Sequence, residues 1–334
     1  MNKAEFSKMT QTEAAAGNVS FRNEHPAVGD SRKELLLGLQ QAQKVINPKY
    51  FYDQRGSELF DRITRLPEYY PTRTEIDILT RYRGEISAAC GSGCVFIEPG
   101  SGSCEKARLL LDDLQPSVYV PVDISDDFLL EAATELGSEY PWLPIHAVCA
   151  DFNHSWSFVD VLPAGKRVVF YPGSTIGNLE PEAAVSFLKR VKETMGVDGG
   201  ALIGVDLHKS SAILNAAYND ADGVTAAFNR NILSRVNTLL DGEFDPGAFA
   251  HHAFYDDRKQ RIEMHLVSER AQTVRCNGNH IDFDLGETIH TENSYKYTLD
   301  GFAELASQAG LAVNHSWLDD EALFSVHYLS ATSA

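Results

Sequence analysis

The strongest constraint on the fold lies between residues 94 and 207, where apolar strand-length runs alternate with helix-length amphipathic stretches. The runs are CVFIEP from Cys94, SVYVPVDI from Ser117, IHAVCADF from Ile145, KRVVFYP from Lys166 and ALIGVDL from Ala201. SCEKARLLLDDL, SDDFLLEAATELG and PEAAVSFLKRVKETM fall between them. Strands separated by helices of about 10–15 residues predict βαβ units, hence a parallel α/β sheet, Rossmann-like, with helices on both faces.

Outside this region the pattern changes. Ser31-Arg-Lys-Glu34 and Thr72-Arg-Thr-Glu75 read as capping boxes, predicting helices that start at Ser31 and Thr72. An aromatic, turn-rich connector lies between them. Residues 209–245 read helical with Asn, Asp and Gly interruptions. Residues 260–287 read as antiparallel strands turning at Asn277-Gly278. LDGFAELASQAG predicts a last helix, and LAVNHSW and LFSVHYL two last strands. The expected organisation is a polar arm over 1–30, a sheet domain of 73–208 plus 294–334, and a second α+β domain of 31–72 plus 209–293.

Composition removes several functions. The formal net charge is −18, which opposes nucleic acid and anionic membrane surfaces as partners. No apolar run is long enough to span a bilayer, and the first residues carry no signal-type apolar stretch. Cys90, Cys94, Cys104, Cys149 and Cys276 form no C-x-x-C pair, and no H-E-x-x-H occurs. No metal site is expected, and buried free thiols in a reducing cytoplasm fit better.

The chemistry starts at CVFIEPGSGSCEK. A phosphate-binding loop needs G-x-x-x-x-G-K-[ST], which is absent. A dinucleotide fingerprint needs a third glycine where this chain has Glu105, and an acid there repels a pyrophosphate. S-adenosylmethionine (SAM) carries a sulfonium cation and no phosphate. Glu98 at a strand end supplies a carboxylate, and Gly100 and Gly102 allow close backbone approach. Asp123 ends the next strand, placed to take ribose hydroxyls, and Asp151-Phe152 after the third suits an adenine amino group and ring. These features favour SAM.

The acceptor side is less determined. The loop Gly173-Ser-Thr-Ile-Gly-Asn178 follows the fourth strand, on the ligand side of such a sheet. Asn178 offers a donor and an acceptor, or caps the helix at Pro181. Glu292 and Ser294 in TENSYKY point the same way on an extended segment. They grip a ring bearing two nitrogens, or form a solvated strand face. Tyr69-Tyr70 and Tyr218 are compatible with core packing or with a site.

Together LPEYYPTRTE, GSGSCEKARLLLD, GSTIGN, AYNDADGVTAAFN, RIEMHL and TENSYKY resemble the SAM-dependent histidine Nα-methyltransferases of ergothioneine biosynthesis, from about residue 50 to the end. The closing helix and two strands resemble the antiparallel end of a methyltransferase-type sheet. The resemblance implies a class I methyltransferase domain with a substrate-binding domain, trimethylating the histidine α-amine to hercynine. It implies a monomeric cytoplasmic enzyme with a small amino-acid substrate. It places SAM on Glu98, Gly100, Ser101, Gly102, Lys106, Asp123, Asp151 and Phe152. It puts the amino-acid backbone on Asn178 and Tyr218 near Gly173, and the imidazole on Glu292 and Ser294 beside Tyr69. Met264 lines the pocket, Tyr52 and Phe60 wall it, and Tyr69, Asn178 and Tyr218 stand at the reacting centre. Pro99 and Cys104 depart from the family pattern. Relatives acting on other amino acids, such as tryptophan derivatives, keep open another amino acid or amine as acceptor. A SAM-binding regulatory module without turnover is the remaining alternative.

Overall fold

The computed structural model describes residues 12–13, 17–24, 28–152 and 156–332. Strands β1 (Thr12–Glu13) and β2 (Val19–Asn23) precede α1 (Val28–Leu39), β3 (Lys44–Val45), α2 (Gln54–Ile63) and the long α3 (Tyr70–Cys90). The alternating region gives β4 (Val95–Pro99), α4 (Glu105–Leu114), β5 (Val118–Asp123), α5 (Asp126–Glu139), β6 (Ile145–Cys149), β7 (Arg167–Tyr171), α6 (Pro181–Met195) and β8 (Gly200–Asp206). Next come α7 (Ser211–Ala217), α8 (Val224–Leu240), β9 (Phe249–Asp256), β10 (Arg261–Ser268), β11 (Gln272–Cys276), β12 (Asn279–Phe283) and β13 (Thr288–Tyr295). The chain closes with α9 (Leu299–Gln308), β14 (Leu311–Leu318) and β15 (Phe324–Ala331).

The main sheet runs β1-β2-β6-β5-β4-β7-β8-β15-β14. It is parallel from β2 to β8 and antiparallel at both ends. Strand alternation sends Phe96 to one face and Val95 and Ile97 to the other. The first face is covered by α3, α4 and α5, the second by α6 and α9. The strand order reverses at β4, between β5 and β7, so a ligand crevice opens beyond its carboxyl end.

A second sheet, β3-β13-β10-β9, packs with α1, α2, α7 and α8 around a separate apolar cluster. Phe51 stacks on Phe228 at 4.4 Å between ring centres, fastening the N-terminal layer to the inserted segment. The β11–β12 hairpin turns at Asn277-Gly278 with Cys276 facing Asn279, as its turn chemistry predicts. Among the described residues no helix is long and apolar enough to cross a membrane.

Several expectations are corrected. Most of residues 1–16 lie outside the described residues, but Val19–Asn23 is no frayed arm. It pairs with β6, with Val19 buried and the Asn18 amide donating to Tyr140 O at 2.9 Å. Neither capping box starts a helix: α1 begins at Val28 and α3 at Tyr70, with Pro71 in its first turn. Glu75 is fully buried instead of capping. The boundaries drawn after 72 and 293 fall inside α3 and β13; α3 itself enters two clusters, with Tyr70 in one and Ile78, Leu79, Ile86 and Cys90 in the other. The β9–β10–β13 pairing was not legible in the sequence, because β9 carries no turn signal that fixes its partner.

Candidate active site

The parallel strands deliver their polar ends to one side of the sheet. Glu98 stands near the end of β4, Asp123 ends β5, Asp151 follows β6, residues 173–178 follow β7 and Asp206 ends β8. The turn after β4 needs its glycines: Gly100 and Gly102 hold φ of 72° and 51°. The amides of Gly100 and Ser101 donate to Val122 O at 2.7 and 3.2 Å, and that of Gly102 to Asp123 Oδ2 at 3.0 Å. The Ser125 amide holds the other Asp123 oxygen at 3.1 Å. Burial pushes the Asp123 carboxyl up, against these bonds.

Pro99 is tolerated because the ladder to β7 has already ended at Ile97–Val169. Cys104 is buried at φ 59°, where its amide closes the turn on Ser101 O. The Phe152 ring lies over Gly100, so near that a Cβ there meets it at 3.5 Å. Asp151 is buried and paired with Lys49 Nζ at 3.0 Å, and that ammonium also reaches Glu34 at 2.7 Å. Glu98 is buried, 1% exposed. It accepts a hydrogen bond from the Tyr119 hydroxyl, and burial pushes its carboxyl up to about 8. An open glycine turn, acidic strand ends and Glu105 in the first turn of α4 fit a cationic nucleoside and oppose a pyrophosphate.

Lys106 points from α4 to Glu75 on α3, with Nζ 2.6 Å from Oε2. Both Glu75 oxygens accept the Gly173 amide, at 3.0 and 2.9 Å. The glycine loop and the loop after β7 are thus tied through one buried carboxylate.

Beside this turn lies a cavity lined by Tyr52, Phe60, Tyr69, Gly173, Asn178, Tyr218, Glu292 and Ser294, with Asp206, Thr175, Ser174 and Pro71. Both sheets contribute, so it sits where the second sheet meets the main one. Asn178 does not cap α6; Glu180 holds that position and makes no side-chain cap bond. Tyr70 turns into the core and donates to both Asp206 oxygens at 2.7 Å, whereas Tyr69 faces the cavity.

Glu292 and Ser294 are 9% and 4% exposed, which rules out a solvated strand face. A register shift between Met264 and His265 leaves Thr291 as an extra residue on β13, and the resulting bulge aims both side chains inward. Met264, opposite Glu292 in the register, is packed in the apolar core and does not line the cavity.

Burial holds the Tyr52, Tyr69 and Tyr218 hydroxyls well above their ordinary range, so they act as neutral hydroxyls and not as bases. Burial pushes Glu292 up to about 8, with Lys296 opposing. Asp206 goes the other way: burial resists, but Lys296 and Lys209 hold it below the carboxylate range. Lys296 Nζ is 2.7 Å from Asp206 Oδ2 and 2.7 Å from Ser294 Oγ, and Tyr218 OH is 2.8 Å from Ser294 Oγ.

Among the described residues Glu263, His265 and His290 place ligand-type atoms within 4.8 Å of one another. Glu263 Oε1 already takes Lys259 at 2.8 Å and Arg261 at 2.6 Å, and that positive charge opposes a metal ion there. The five cysteines are free and buried.

A sequence model described as "Histidine-specific methyltransferase, SAM-dependent" matches residues 31–331. The chain belongs to this SAM-dependent methyltransferase family.

A protein of Mycolicibacterium smegmatis named histidine N-alpha-methyltransferase is 42% identical over 86% of this chain and 91% of its own length. One of the same name from Mycobacterium tuberculosis is 40% identical over 88% and 93%. Ergothioneine biosynthesis protein 1 of Neurospora crassa is 30% identical over 80% of this chain and 31% of its own length.

The methyltransferase therefore takes SAM as methyl donor, which agrees with the donor set around Gly100. Sequence reasoning missed Glu75, Asp206 and Lys296. Asp206 was findable by the rule that found Asp123, an acid closing a parallel strand. Glu75 was hidden by its reading as a cap.

Proposed function

We propose that this chain transfers methyl groups from SAM to the α-amine of L-histidine, three times, giving hercynine and S-adenosylhomocysteine. The observation that carries this is the pairing of Glu292 with Ser294 on one inward face, opposite Tyr69 and Asn178 in a single cavity. The family and the names of its relatives support histidine as acceptor.

In this reading Glu292 and Ser294 hold the imidazole, Asn178 and Tyr218 the amino-acid backbone, and Tyr69 stands with them at the reacting centre. Tyr52 and Phe60 wall the ring site, Gly173 keeps the loop close, and Met264 supports Glu292 from beneath. On the donor side Gly100, Ser101 and Gly102 take the amino-acid part of SAM with Lys106, Asp123 the ribose, and Asp151 with Phe152 the adenine. Glu98 backs the turn as a buried acid.

SAM supplies an electrophilic methyl group. The acceptor nitrogen must be neutral, and a free α-amine with a pKa of about 7.7–8.0 has an appreciable neutral fraction near pH 7. Positioning then carries most of the acceleration, about 7–11 kcal/mol where geometry is good. Neutral hydroxyls around the nitrogen tolerate added methyls without demanding an N–H.

We propose two domains, 31–72 with 209–293 and 73–208 with 294–334, with α3 running from one to the other; the apolar cluster around the second sheet, separate from the two on the faces of the main sheet, supports this division. We also propose a cytoplasmic monomer without nucleic-acid or membrane partners, supported by the net charge of −18. Mass spectrometry of histidine incubated with SAM and the protein tests the main reading. A gain of three methyl groups is expected. No product, or a run that ends at one methyl, overturns it. Light scattering tests the monomer.

A further inference from the structure

Lys296 is 3% exposed, just past the end of β13, and its ammonium reaches three oxygens. Asp206 Oδ2 is at 2.7 Å, Ser294 Oγ at 2.7 Å and Tyr218 OH at 3.5 Å. An ammonium only donates, so Ser294 Oγ must accept from it. Ser294 and Tyr218 lie 2.8 Å apart and own two hydroxyl protons between them. One proton lies between the two oxygens, and neither can point at the ammonium. The other is left for whatever occupies the cavity. Glu292 faces the same cavity from the same strand.

We propose that Lys296 is a positioning residue that fixes the hydrogen-bond polarity of the ring site, so that the Ser294–Tyr218 hydroxyl pair always presents a donor beside the Glu292 carboxyl. This rests on the reading of the cavity as a histidine site. A ring with one N–H and one bare nitrogen satisfies both groups. A pyrrole or indole ring has no bare nitrogen and leaves a buried hydroxyl unpaired, which weakens its binding by about tenfold or more. The specificity then lies partly in a lysine that need not touch substrate. Without it the two hydroxyls rotate freely and can accept as readily as donate. Asp206 keeps Tyr70 and Lys209 as partners when Lys296 is removed.

The experiment compares histidine with β-(4-thiazolyl)alanine, which keeps the bare nitrogen, and β-(pyrrolyl)alanine, which lacks it. Inhibition constants against histidine turnover are measured in the native protein, Lys296→Met and Lys209→Met. The native protein should prefer thiazole to pyrrole by at least about tenfold. In Lys296→Met the histidine KM should rise about 10–100-fold and this preference should collapse, with the SAM dissociation constant unchanged. Lys209→Met disturbs the same Asp206 without touching Ser294 and should keep the preference. A Lys296→Met protein that discriminates as the native one does overturns the proposal. So does a native protein that binds both analogues equally, a result needing no variant. Absence of histidine turnover in the native protein overturns the histidine reading itself, and the inference with it.

Discussion

Lys106 Nζ stands 2.6 Å from Glu75 Oε2, and Glu75 is fully buried. This contact joins the helix after the glycine loop to α3, and the Gly173 amide joins the same carboxylate. Glu75→Ala leaves a partly buried ammonium and an amide unpaired. Breaking such a pair from one side costs about 3–5 kcal/mol. The expected outcome is a large drop in Tm with weakened SAM binding. A variant with native Tm would show that the contact carries no stability.

Glu292→Ala removes the carboxyl of the ring site and touches nothing near Gly100. The kcat/KM for histidine should fall steeply, by as much as ~10⁴, while SAM affinity by calorimetry stays native. Equal losses in both would place Glu292 in the donor site.

Gly177 lies between Asn178 and β13, and a Cβ built on it comes 2.7 Å from Tyr295 O, a backbone atom that cannot swing away. Gly177→Ala should push the loop off β13 and carry Asn178 from Glu292. We expect a loss of roughly 10²-fold in kcat/KM, the scale of a displacement of about 1 Å. Saturating histidine should not restore kcat. Native kinetics would mean that the loop does not position the acceptor.

Glu98 gives a pH test. Its folded carboxyl sits at about 8, above the ordinary 4.5. Between those values the unfolded chain has lost a proton that the folded chain keeps. Stability therefore falls as pH rises through this window. Buried His327 and His265 are shifted down, so they titrate below about 6.5, whereas Glu292, also pushed up to about 8, adds a decline of its own over the same window. Glu98→Gln should make the decline in Tm between pH 6.5 and 8 less steep, leaving the part due to Glu292. An unchanged slope would mean that Glu98 is ionised in the fold.

The parallel sheet was legible in the sequence because its strands are buried on both faces and its helices on one, which imposes two periods on the same chain. The acids at 123 and 151 were legible for the same reason, since a strand end is a fixed place in such a sheet. Glu75 was not. A Thr-x-x-Glu spacing has one meaning as a cap and another when Pro71 starts the helix a turn earlier, and only packing against Gly173 decides between them.

Glu292 and Ser294 mark the boundary between the two kinds of knowledge. Their spacing alone put both side chains on one face of a strand. Which face that is depends on the extra residue at Thr291, whose bulge exists only because β13 must pair with β10. The sequence by itself determined the sheet, its glycine turn and the acids that suit a sulfonium, because these follow from local periods and strand ends. Tertiary structure alone decided that Lys296 and Glu75 stand behind the site. Charges meet in a core through contacts between residues far apart in the chain, and no local pattern records them.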